Sequence, residues 1–104
     1  MNHYHISLCW FRRDLRSYDH AALYHALRQS QRVYCVFLFD TYILGRLTNQ
    51  ADRRVEFIWR SLRELRDTLE QMGGGLIVRH GAPGNEIPAV AQELQAEAVF
   101  FNHD

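Results

Sequence analysis

The chain has 104 residues, enough for one domain with one core. Its 47% hydrophobic and 23% charged residues fit a soluble globular protein and exclude a disordered or fibrous one. Twelve arginines, with no lysine, balance twelve acidic residues to zero net charge, without the basic excess of a dedicated nucleic-acid binder.

From the amino terminus, Met1 to His5 is polar and has no apolar core of a signal peptide. No apolar run approaches transmembrane length, so the expected location is the cytoplasm. Ile6 to Phe11 is a short apolar run and reads as the first strand. Arg12 to Tyr18 is a polar loop. Asp19 then suits an N-cap, because its carboxylate accepts from free backbone N–H groups. Ala22, Leu23, Ala26 and Leu27 recur at helical spacing and predict a helix to about Gln29.

Arg32 to Phe39 is near-continuously apolar from Val33 onward, as a strand buried on both faces requires. Asp40 to Ala51 shows no period and contains Gly45 and Asn49. Asp52 opens the clearest element, an amphipathic helix with Val55, Ile58, Leu62, Leu65, Leu69 and Met72 on its inner face. Its polar face offers i,i+4 pairs Glu56–Arg60, Arg60–Glu64, Arg63–Asp67 and Arg66–Glu70, each worth about 0.2–0.5 kcal/mol. Gly73 supplies a left-handed stop.

Leu76 to Arg79 predicts the third strand and His80 to Gly84 a loop. Glu86 or Ile87 starts a third helix, with Ile87, Val90, Ala91 and Leu94 facing inward and Pro88 in its first turn. Ala98 to Phe101 is the fourth strand, and Asn102 to Asp104 follow it. This βαβαβαβ order predicts an α/β fold, a Rossmann-like three-layer α/β/α arrangement around a parallel sheet. Ligands in such sheets bind beyond the carboxyl ends of the strands, near the switch in strand order. The segments placed there are Arg12–Tyr18, Asp40–Ala51, His80–Gly84 and Asn102–Asp104.

Several chemistries lack their residues. There is no G-x-G-x-x-G, no Walker A sequence and no serine in a nucleophile elbow. Cys9 and Cys35 sit in apolar runs without metal spacing and read as buried thiols in a reducing compartment. His3, His5, His20, His25, His80 and His103 form no metal-binding pattern and read as surface or half-buried residues. No metal site and no catalytic residue is expected.

The informative text is Trp10-Phe11-Arg12-Arg13-Asp14-Leu15-Arg16, followed by Tyr18-Asp19-His20-Ala21-Ala22-Leu23. It resembles the amino-terminal signature of DNA photolyases and cryptochromes, with His20-Ala21 where that family usually has Asn-Pro. Val36 to Asp40, Arg53 to Ile58, Ser61 to Leu65, Leu76 to Gly81 and Ala96 to Asn102 resemble later family segments in register.

The resemblance implies an amino-terminal α/β antenna domain over 1–104, with four strands present and the family's fifth strand missing. It implies a parent with a helical FAD-binding domain that splits UV-induced pyrimidine dimers by light-driven electron transfer. The alternatives are an antenna domain of a signalling cryptochrome, a stand-alone α/β nucleotide-binding module, or an α/β interaction domain without a ligand. The implied cofactor is an antenna pigment (deazaflavin, flavin or methenyltetrahydrofolate), with FAD only in the missing domain. Acidic residues after the second strand lean towards a deazaflavin or flavin.

By the strand-end rule the candidate pigment contacts are Phe11, Arg12, Phe39, Asp40, Arg53, Asn102 and Asp104. Asp40 and Asp104 would accept from ring N–H or hydroxyl groups, and Arg12 and Arg53 would hold anionic tails or stack. Phe11 and Phe39 serve equally well as core, and the two arginines as surface ion pairs. Expected partners are the FAD domain, damaged DNA through that domain, and a second copy along the exposed edge of the fourth strand.

Overall fold

A computed structural model describes residues 3–12, 15, 20–39 and 53–102, with the side chains of 53–55 outside the description. The elements run β1 (Tyr4–Phe11), α1 (Ala21–Gln29), β2 (Ser30–Phe39), α2 (Arg53–Gln71), β3 (Leu76–His80), α3 (Pro83–Glu93) and β4 (Ala98–Phe100). All strand pairs are parallel, in the order β3-β2-β1-β4. The α/β architecture and the four-stranded parallel sheet therefore stand as the sequence predicts.

Alternate residues of each strand feed two apolar layers. Cys9, Phe11, Cys35, Phe37 and Phe39 point to one face, under Ala22 and Leu23 of α1 and Leu62, Leu65 and Leu69 of α2. Leu8, Val36 and Leu38 point to the other, under Ile87 and Val90 of α3. This explains why β1 and β2 read as unbroken apolar runs: a parallel sheet covered on both faces has no solvent side. Between β1 and β2 the buried Ser30 hydroxyl donates to the Ser7 hydroxyl at 2.6 Å, so two polar groups enter the core already satisfied.

The helix ends differ in detail from the expectations. The N-cap of α1 is His20, not Asp19, which lies outside the described residues; His20 Nδ1 accepts from the Leu23 N–H at 3.0 Å. That acceptance places the proton of a neutral ring on Nε2. His20 is buried, unlike the surface or half-buried histidine expected. At the end of α2, Gly73 has φ +90° and donates to the Glu70 carbonyl, while Gly74 donates to the Leu69 carbonyl. These two bonds satisfy carbonyls the helix leaves open, and glycine adopts this φ without steric cost.

The third helix starts earlier than predicted, at Pro83, where the missing N–H costs nothing. Pro88 consequently lies inside the helix and not in its first turn, so the Gly84 carbonyl loses its i+4 donor. Met72, expected on the inner face, is 59% exposed, and Leu27, part of the apolar period of α1, is 50% exposed. Leu27 lies in the last turn of α1 and Met72 just past the end of α2, and both line an open groove beside the glycine turn. Among the described residues of α2 the expected i,i+4 ion pairs are not formed. Arg66 instead lies 3.4 Å from its neighbour Asp67, both exposed. Surface ion pairs gain so little over hydration that spacing alone does not dictate them.

Candidate functional site

The chain runs β1 to β2 to β3 in one direction across the sheet, then returns to place β4 on the far side of β1. The switch in strand order therefore lies between β1 and β4, and the topology rule puts the expected ligand crevice outside their carboxyl ends. The residues at these two strand ends are Trp10, Phe11 and Arg12 from β1 and its exit, and Phe101 and Asn102 from the exit of β4.

Trp10 and Phe101 stand 5.4 Å apart between ring centroids, tilted at 52°. The Arg12 guanidinium lies over both rings, 5.0 Å from the Trp10 centroid and 6.0 Å from that of Phe101. Such a stack draws a cation to the electron-rich ring faces. Phe101 is 42% exposed, so the platform is open to solvent on one side.

Trp10 packs with the α3-face cluster; on the opposite, α1/α2 face the same strand ends are held by hydrogen bonds. Asn102 Oδ1 accepts from the Ala22 N–H at 3.0 Å, and Asn102 Nδ2 lies 3.5 Å from His20 Nδ1. The end of β4 is thereby tied to the first turn of α1. The buried Phe11 ring packs on His20 at 4.6 Å. Thus the three candidates Phe11, Arg12 and Asn102 share the β1/β4 carboxyl ends, with Phe11 and Asn102 towards α1 and Arg12 over the Trp10–Phe101 pair.

Phe39 lies elsewhere, at the carboxyl end of β2. It is buried, stacks on His80 at 5.2 Å and meets Trp59 of α2 at 5.1 Å. Arg53 begins α2, with its side chain outside the description. Asp40 and Asp104 lie outside the described residues, as do the acidic segment after β2 and most of the Arg12–Tyr18 loop. Leu15 of that loop packs against both apolar clusters on the α1/α2 face.

Sequence reasoning missed Trp10, Phe101 and His20. Trp10 and Phe101 meet only through the β1–β4 pairing, and no local pattern joins residues so far apart. His20 carried a signal: it directly precedes the apolar period of α1, the position of a cap. Among the described residues no cluster of three or more metal-binding side chains occurs, and no helix is long and apolar enough to cross a membrane.

The fold and sequence are shared with known proteins. The deoxyribodipyrimidine photo-lyase of a Synechococcus species is 40% identical over 97 residues, covering 93% of this chain and 20% of that protein. The cryptochrome DASH of Gloeobacter violaceus is 36% identical over 99 residues, covering 91% of this chain and 20% of its own length. The crystal structure of a class III photolyase from Agrobacterium tumefaciens superposes with a TM-score of 0.81 at 25% identity, over 96% of this chain and 20% of that one. The chain thus spans about a fifth of the length of these relatives. The sequence profile of the DNA photolyase family matches residues 7–104, and the chain belongs to that family.

Proposed function

We propose that this chain is the light-harvesting α/β domain of a photolyase-type protein, and that it holds a flat antenna pigment at the β1/β4 crevice. The observation that carries this reading is the Trp10–Phe101 pair with the Arg12 guanidinium across it, at the switch in strand order. A conjugated pigment needs apolar walls and a few directed polar groups, and these residues supply both kinds. The pigment would contribute light absorption. The chain's residues would bind and orient it: Arg12 holds an anionic edge or stacks on the ring, while Phe11 and Asn102 keep the crevice in shape. Asp40, Arg53 and Asp104 are proposed as further polar contacts, while Phe39, enclosed by rings at the β2 end, serves as core there. Deazaflavin and flavin suit acidic partners better than a folate does.

The parent would carry FAD in a separate helical domain. That domain, not this one, would engage damaged DNA and split pyrimidine dimers. The zero net charge of this chain supports that division, since DNA affinity rests mainly on neutralising phosphates. A cryptochrome parent would use the same antenna for signalling, and relatives of both names match the chain. Among the described residues β4 lies at the outer end of the sheet beside β1, and such an edge would favour self-association.

Absorption and fluorescence spectra of the chain, with and without deazaflavin, methenyltetrahydrofolate and FMN, test the proposal. The expected result is a red shift or quenching with one pigment, weak in the isolated chain and weaker still on changing Arg12 or Phe101 to alanine. Unshifted spectra with all three pigments would overturn a site formed within these residues.

A further inference from the structure

The sheet register sets Cys9 of β1 directly opposite Cys35 of β2. Both side chains point to the α1/α2 face and belong to one apolar cluster. Neither is in a disulfide. Adjacent strands lie about 4.8 Å apart, which falls near the lower end of the Cα separations that disulfides span.

The two thiols differ in access. Cys9 is fully buried. Cys35 lies at the floor of a groove of about 260 Å³ between α1, the last turn of α2 and the glycine turn after it. Leu23, Val33, Leu69, Met72 and Gly74 line the walls. A small uncharged oxidant entering this groove meets Cys35 first, with Cys9 behind it. The Cys9 thiol, by hydrogen bonding to Cys35, also holds the Cys35 pKa below the usual thiol value, against the opposing effect of burial. The thiolate is the reactive form, so this contact favours attack.

We propose that Cys35 and Cys9 form a peroxide-responsive dithiol pair, with Cys35 the attacking and Cys9 the resolving thiol. The Cys35 sulfur attacks one oxygen of hydrogen peroxide, the O–O bond breaks, and Cys35 becomes a sulfenic acid with release of water. The Cys9 sulfur then displaces the sulfenic hydroxyl. A disulfide forms and a second water leaves. Two thiols are oxidised by two electrons and one peroxide is reduced to two waters. The product ties β1 to β2 within the sheet. A small dithiol that attacks the disulfide returns both thiols and is itself oxidised, so the pair cycles. This inference rests on the strand register and the groove, independently of the antenna reading.

Peroxide treatment of the native chain, followed by denaturation, alkylation and mass spectrometry, tests it. The expected product is a monomer that has lost two hydrogens and both alkylation sites, with a peptide linking Cys9 to Cys35, and dithiothreitol restores the starting mass. The native reaction should accelerate at a lower pH than that of the denatured chain, because the Cys35 pKa is depressed by folding. In Cys9→Ala, dimedone should trap the sulfenic acid on Cys35; in Cys35→Ala, Cys9 should remain alkylatable. Circular dichroism verifies that both variants fold, and the wild-type result decides the matter if either does not. Met72, which is exposed, serves as an internal standard. A native chain whose two cysteines remain alkylatable while Met72 is oxidised would overturn the proposal. So would sulfinic acid at Cys35 without the linked peptide, or a disulfide found only between chains.

Discussion

The two carboxyl-end clusters of the sheet are built from similar residues and differ in what they leave open. At β2 and β3, Phe39 is enclosed by Phe37, Trp59 and His80, ring upon ring. At β1 and β4, the Trp10–Phe101 pair is crossed by a guanidinium, and on the opposite face of the sheet the Asn102 and His20 hydrogen bonds hold the start of α1. The first arrangement is chiefly packing. The second combines an exposed ring face, a cation and directed polar groups, and it occurs where the strand order reverses. Aromatic content alone therefore does not mark a site in this fold; the topology decides which aromatic cluster remains accessible.

The largest expected effect lies on the packing side. Phe39→Ala removes a buried ring and should cost about 3–5 kcal/mol, read from denaturant unfolding. A loss under ~1 kcal/mol would mean that the β2 end is not core and would break the contrast. Asn102→Ala should cost about 1 kcal/mol, because the Ala22 N–H loses its acceptor at a helix start. Asn102→Asp retains the oxygen at that N-terminus and should recover most of the loss, as measured by thermal unfolding. If both variants melt alike, the hydrogen bond does not join β4 to α1.

Much of this was legible in the sequence, and the limits have physical causes. β1, β2 and α2 were readable because burial on two faces or on one stripe leaves a continuous or periodic apolar text. The start of α3 was misplaced because Pro88 resembled a first-turn proline, whereas Pro83 occupies that position. The candidate site was legible only in its position along the strands. The strand-end rule placed Arg12 and Asn102 correctly at carboxyl ends, but it could not pair Trp10 with Phe101 or separate Phe39 from them. Those distinctions depend on the order β3-β2-β1-β4, which no local pattern encodes. The Cys9–Cys35 juxtaposition was hidden for the same reason: it is a matter of register.

Smaller effects sharpen the contrast. Arg12→Ala should leave stability within about 0.5 kcal/mol and weaken pigment binding about fivefold, the equivalent of one cation–ring contact of about 1 kcal/mol. Arg66→Ala, which removes an exposed pair with Asp67, should change stability by less than about 0.5 kcal/mol and leave binding untouched. An Arg66 effect as large as that of Arg12 would show that loss of positive charge anywhere, not the crevice, governs binding.

The most direct test is a fluorescence titration of one pigment against wild type, Arg12→Ala, Phe101→Ala and Trp59→Ala. Trp59 belongs to the β2 cluster and is 48% exposed, comparable with Phe101. The antenna reading predicts that Arg12→Ala and Phe101→Ala weaken binding while Trp59→Ala binds as wild type does. Weakening by Trp59→Ala alone would place the pigment at the β2 end and contradict the assignment to the β1/β4 crevice.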